Sequence, residues 1–218
     1  MQALYPAITL GKRATLTAVE LTAVIVFAPQ ENPGGALTPL GGEPAVRRMV
    51  RPLSRVARHV LVVVDEAFAD RFDAALAGLP TEILPVEASA TRADCLALAA
   101  EQAGRRGATH VLLADHRHPL MAADMIDRVV SALADGAELV VPVLPVTDTV
   151  KTVDAGGTIT ATVDRSTLRL LQYPRGMRAD RLPVESLAGA VTVDGDADAV
   201  ALELPADAAL LEAVIACR

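Results

Sequence analysis

Short runs of β-branched and aliphatic residues alternate along this chain with segments of helical period, and that alternation constrains its fold more than any other feature. The runs occupy residues 21–27 (LTAVIVF), 60–64 (VLVVV), 82–86, 110–114 (HVLLA) and 138–143. Runs that are apolar at successive positions belong to strands buried on both faces. Between them, 44–56 places Val46, Met49, Val50, Leu53 and Val56 on one helical face. Residues 66–77 form an Ala-rich helix and 92–105 another, while 122–134 carries Met125, Ile126, Val129, Val130 and Leu133 at helical spacing. Strand–helix alternation of this kind predicts an α/β fold with a doubly wound, mostly parallel sheet. Toward the end, a short helix over 184–187, strands near 190–193 and 199–202, and a helix over 206–216 led by Pro205 complete the expected order.

The chain has 218 residues, and the organisation expected is an extension over 1–19 followed by a single domain over 20–218. It is 52% hydrophobic but only 2% aromatic, so its core must be built from Ala, Val and Leu. A net charge of −7 argues against binding nucleic acid or an anionic membrane through bulk charge. No apolar run approaches the ~20 residues of a membrane helix. Cys95 and Cys217 are too few for a disulfide framework and suit a reducing cytoplasm, the localisation expected here. The first residues lack the basic-then-apolar order of a signal peptide. Lysine is scarce: only Lys12 and Lys151 are present.

Ligands of such sheets bind beyond the carboxyl ends of the strands, where strand order reverses. That directs attention to the loops after Phe27, Val86, Ala114 and Leu144. The loop 28–40 carries Gly34-Gly35 and could cradle phosphate through backbone N–H groups. It contains no Lys or Arg, and a plain connecting loop is the alternative. Asp115, at the end of its strand, is placed either to hold Mg²⁺ against phosphates or to cap the following turn. His110, His116 and His118 beside Asp115 also have the chemistry of zinc ligands, but no second Cys or His pair follows them. Farther on, the segment 140–176 runs from an apolar strand into Thr147, Asp148, Thr149 and Lys151. It then passes through a Gly156-Gly157 turn flanked by β-branched residues to Arg165. This reads as a hairpin, with Thr149, Lys151 and Arg165 available for an anion or sugar phosphate.

From about 111 to 176 the chain resembles the 2-C-methyl-D-erythritol 4-phosphate cytidylyltransferases of the non-mevalonate isoprenoid pathway. The resemblance rests on VLLADHRHPLM, PVTDTVK and DRSTLRLLQYPRG, with weaker matches in GGALTPLGGEPAV, EASATRADC and LPADAALLEAV. It implies a Rossmann-like nucleotidyltransferase fold with a projecting β-hairpin arm over about 147–166, which would embrace a second copy in a homodimer. It implies cytidylyl transfer from CTP to the sugar-alcohol phosphate, with Mg²⁺ as cofactor and pyrophosphate as product. Residue by residue, it implies that Asp115 binds the metal. Thr149, Lys151 and Arg165 bind the sugar-alcohol phosphate, Arg165 from the partner subunit. Ala28, Gly34, Gly35, Arg92 and Cys95 lie in the segments that bind the nucleotide. The chain departs from the family pattern where the first loop should read A-A-G-x-G-x-R, where a late Lys is replaced by Ala201, and where DAAR has become Asp115-His116-Arg117-His118. Two expectations therefore stand: an active cytidylyltransferase, or a catalytically impaired homologue acting as a binding or regulatory protein.

Overall fold

A computed structural model of the protein describes residues 19–184, 186–199 and 201–217. Nearly all of the expected extension, and Lys12 with it, lies outside the described residues. The first strand, β1 (Leu21–Phe27), leads into a loop of two 3-10 turns and two very short strands, β2 (Pro39–Leu40) and β3 (Glu43–Pro44). Next come α1 (Ala45–Leu53), β4 (His59–Asp65), α2 (Ala69–Leu76), β5 (Thr81–Val86), α3 (Arg92–Arg105), β6 (His110–Asp115), α4 (Ala123–Ala134) and β7 (Leu139–Pro145). The hairpin strands β8 (Val150–Val153) and β9 (Ile159–Val163) follow. The chain closes with β10 (Arg169–Leu171), β11 (Arg175–Arg178), β12 (Val191–Asp194) and α5 (Ala208–Ala216).

The main sheet runs β10-β7-β11-β6-β1-β4-β5, with β12 added in parallel against β7. Strands β6, β1, β4 and β5 pair in parallel, whereas β10 and β11 run antiparallel to their neighbours. Both faces are covered. Ala23, Ile25 and Phe27 of β1 pack with Val46, Met49 and Val50 of α1, Phe72 of α2 and Met125 and Val129 of α4. Val24 and Val26 point the other way, onto Cys95, Leu96 and Ala99 of α3. Each such aliphatic side chain contributes roughly 1.5–3 kcal/mol when fully buried.

Two sequence expectations fail at the carboxyl-terminal end. The helix over 184–187 is instead a 3-10 segment over Ala179–Val184, with Leu187 outside it. Of the strand over 199–202, the described residues are irregular; Leu202 donates its N–H to the carbonyl of Arg117 at 2.8 Å rather than to a neighbouring strand. The last helix starts at Ala208, two residues later than expected, so Pro205 precedes it. Antiparallel β10 and β11 escape sequence reading because they are only three and four residues long and carry Arg and, in β11, Gly176. Gly176 is required in β11: a Cβ there would stand 2.6 Å from Cγ1 of Val129 on α4.

Candidate active site

β1 lies between β4, reached from it through α1 on one face, and β6, reached from β5 through α3 on the other, and this reversal of strand order leaves a crevice at its carboxyl end. Val26 is level with Asp115 across the β1–β6 ladder, which opens the two strand ends side by side. A cavity of about 370 Å³ occupies this position. Gln30, Glu31, Asn32, Gly35 and Ala36 line it from the first loop, His116 and Arg117 from the turn after β6, and Glu203 and Leu204 from the carboxyl-terminal segment.

Asp115 is 3% exposed and gripped by its neighbour. The Arg117 guanidinium donates to Oδ1 at 3.0 Å and Oδ2 at 2.7 Å, and the Arg117 backbone N–H donates to Oδ1 at 2.9 Å. Burial opposes the carboxylate charge, but these hydrogen bonds and the guanidinium outweigh it and hold the Asp115 pKa down to about 2. Both oxygens of the expected Mg²⁺ ligand are thus engaged. Among the described residues no cluster of three or more His, Cys, Asp or Glu side chains could hold a metal ion by itself, as a protein-held zinc would require.

Glu31 forms a second closed contact. One of its oxygens accepts the backbone N–H of Ala28 at 3.2 Å, and Arg92 donates to its two oxygens at 3.3 and 3.4 Å. Arg92 occupies the first position of α3 because Thr91 and Asp94 form a capping box that starts the helix there. The imidazole Nδ1 of His116 lies 3.9 Å from Glu31 and 3.8 Å from Asp115. Burial lowers the His116 pKa, with both carboxylates pulling the other way.

The remaining nucleotide candidates divide. Ala28 offers its N–H, but to Glu31. Gly35 is a packing glycine: a Cβ there would stand 2.5 Å from the carbonyl oxygen of Leu204. Gly34 faces the ring of Phe68 instead. The structure does not bring Cys95 to the cavity. Its thiol is fully buried in the core beneath α3, and burial, followed by Glu31 and Asp94, pushes its pKa up.

Thr149, Lys151 and Arg165 lie apart from all of this, exposed on or beside the β8–β9 arm. The arm strands pair only with each other among the described residues. Lys151 donates to Thr162 Oγ1 at 2.6 Å and Arg165 to the carbonyl of Thr147. Within one chain these side chains brace the arm and do not join the cavity.

The comparisons with known proteins decide the family. The sequence model of the 2-C-methyl-D-erythritol 4-phosphate cytidylyltransferases matches residues 30–214. Such an enzyme from Saccharopolyspora erythraea is 37% identical over 202 residues, spanning 83% of this chain and 90% of that protein. One from Nocardia farcinica is 36% identical over 200 residues, spanning 83% of this chain and 85% of that protein. The chain belongs to the 2-C-methyl-D-erythritol 4-phosphate cytidylyltransferase family. Among solved structures, the family enzyme from Thermus thermophilus superposes with a TM-score of 0.71 at 26% identity, covering 89% of this chain and 98% of that one. A 4-diphosphocytidyl-2C-methyl-D-erythritol synthase reaches a TM-score of 0.75 at 22% identity, covering 90% of this chain and 99% of that one, and shares the fold.

Two residues of the cavity lining, Glu203 and Leu204, were not singled out by sequence reading as site residues. Both arrive from far along the chain, Leu204 at the head of the weakly matching segment LPADAALLEAV. His118 is 4% exposed, its Nδ1 has no hydrogen-bond partner among the described residues, and its ring centre is 5.3 Å from that of Tyr173. The Arg175 guanidinium covers the Tyr173 ring at 4.2 Å. The signal available for this cluster was the change from DAAR to Asp115-His116-Arg117-His118.

Proposed function

We propose that this chain transfers the cytidylyl group of CTP to 2-C-methyl-D-erythritol 4-phosphate, slowly compared with a site that keeps free cations. The observation that carries this reading is the cavity at the paired ends of β1 and β6, with Arg117 in its wall, in a chain of this family. In the reaction a phosphate oxygen of the sugar alcohol attacks the α-phosphorus. The bond to the β-phosphate breaks, and pyrophosphate leaves. The protein's task is to align the two phosphates and neutralise the charge that builds on the leaving group.

Arg117 is the only Lys or Arg among the described residues lining the cavity, and its guanidinium is about half exposed. It is the group that would face the leaving pyrophosphate. Asp115 would share its carboxylate between Arg117 and Mg²⁺, and the two cations would together neutralise the leaving group. Thr149, Lys151 and Arg165 would bind the sugar-alcohol phosphate, Arg165 reaching it from a second copy of the chain as the β8–β9 arm extends across a homodimer.

A second reading is favoured by one specific observation. Arg92 is already paired with Glu31 and Arg117 with Asp115, and the first loop supplies no cation. One missing transition-state cation can cost on the order of 10³ in rate. On that reading the chain is a catalytically impaired homologue that binds a partner or ligand. Pyrophosphate release from CTP and methylerythritol phosphate separates the two. Turnover above the no-enzyme rate supports the transferase. Its absence, together with no heat of CTP binding in calorimetry, removes it.

A further inference from the structure

The Glu31 carboxylate sits where a bound phosphate would be expected to sit. It lies at the carboxyl end of the central strand and accepts a backbone N–H, that of Ala28, at 3.2 Å. It receives the Arg92 guanidinium on both oxygens, at 3.3 and 3.4 Å, and lies 3.9 Å from the His116 ring nitrogen. A main-chain N–H and a guanidinium nitrogen shared between both oxygens, with an imidazole close by, form the surroundings of an anion site. Here the anion is covalently part of the first loop. The pair is also partly shielded from water: the Arg92 and Glu31 side chains are 26% and 28% exposed.

We propose that Glu31 is a built-in phosphate mimic that occupies the nucleotide-phosphate position, so that a polyphosphate must displace it and binds this cavity more weakly than it would without Glu31. The inference rests on reading the cavity as the nucleotide site and names the residue that sets its selectivity. Glu31 acts in two ways. It occupies the donors that a phosphate needs, and its charge repels any phosphate that approaches within a few ångströms in this partly desolvated wall. Glu203 adds negative charge to the same lining, and Asp115 already neutralises Arg117, so Arg117 does not reverse the balance. An interaction that rejects the wrong ligand is as much a determinant of specificity as one that attracts the right one.

Removing the mimic should expose the site. The test is isothermal titration of inorganic pyrophosphate, and separately of CTP, into the wild-type chain and into Glu31→Gln and Glu31→Ala, without any sugar phosphate. Gln keeps the size and an oxygen for the Ala28 N–H, so it preserves the loop if Ala does not. The expected result is weak binding by the wild type and a gain of about tenfold or more in at least one variant, the size set by freeing one charge-assisted donor pair. Adding Arg92→Ala to the Glu31→Gln chain should abolish the gain, because Arg92 is the released donor. A smaller gain in both variants, or a gain that survives Arg92→Ala, overturns the proposal. Failure of this proposal and failure of the transferase reading are distinct outcomes. Gain of pyrophosphate binding without turnover leaves Glu31 as the mimic and removes the transferase. Efficient wild-type turnover with no gain in the variants does the reverse.

Discussion

Arg117 holds Asp115 by both carboxylate oxygens, its Nε donating to Oδ1 at 3.0 Å and Nη2 to Oδ2 at 2.7 Å, while the carboxylate itself is almost wholly buried. A buried charge left without its partner is costly, in the range of about 3–5 kcal/mol. Arg117→Ala should fall near the lower end, about 3 kcal/mol, because the guanidinium is 48% exposed and water can partly replace it. For a chain of this size that is a drop in Tm of roughly 6–12 °C, measurable by calorimetry. The acid limb carries a second signature. The folded pKa of Asp115, about 2, lies below its unfolded value of 3.8, so this stability is complete above about pH 4 and is lost as pH falls toward 2. Denaturation curves between those limits should be flatter in Arg117→Ala than in the wild type; parallel curves would refute the pairing.

His118 acts in the same direction over a higher pH window. Burial, foremost, pushes its pKa from 6.5 to about 4, so between those values the unfolded chain takes up a proton that the folded chain refuses. Stability therefore falls as pH drops through that window, by at most roughly 1.4 kcal/mol per pH unit. His118→Phe keeps a ring beside Tyr173 and removes the titration. Guanidinium denaturation at pH 7 and pH 5 should show a smaller loss for the variant than for the wild type, and equal losses would sink the assignment.

Gly35 joins the first loop to the carboxyl-terminal segment. Alanine there would place a methyl 2.5 Å from the backbone oxygen of Leu204, and backbone cannot swing aside as a side chain can. We expect Gly35→Ala to cost about 1–3 kcal/mol. Gly34→Ala meets only the Phe68 ring, at 3.3 Å, and should cost less. Urea midpoints for the two variants provide the comparison, and the reverse order would show that Gly35 serves another purpose.

The arm carries Val153 and Ile159 at 59% and 62% exposure, with no strand of the main sheet paired to it among the described residues. If it clasps a second copy, sedimentation velocity should give a dimer, and deletion of 152–163 should give a folded monomer. A monomeric wild type at micromolar concentration would end that reading.

Particular elements show where sequence reasoning succeeds. α3 was legible to the residue, because Thr91 and Asp94 cap its start and its apolar spacing is helical throughout. β1 and β4 were legible because strands buried on both faces need an apolar residue at every position. β11 was not legible. Its place between β6 and β7 depends on Gly176 fitting beneath α4, a long-range relationship with no local trace. The site was half legible. Asp115 falls at a strand end, and topology places strand ends at a crevice. That Arg117 turns back to claim it, that Cys95 faces the core, and that Glu203 closes the far wall are matters of packing.

By itself the sequence determined the alternation of strands and helices, the family, and the scarcity of cations in the first loop, because periodicity and residue type are local properties. Only the tertiary structure decided what each charge does. Glu31 and Arg92 are 61 residues apart in the chain and meet at 3.3 Å. Whether a carboxylate serves a ligand or satisfies a neighbouring guanidinium is settled by which groups the fold brings within hydrogen-bond reach, since charge in a partly buried wall must be paired where it stands.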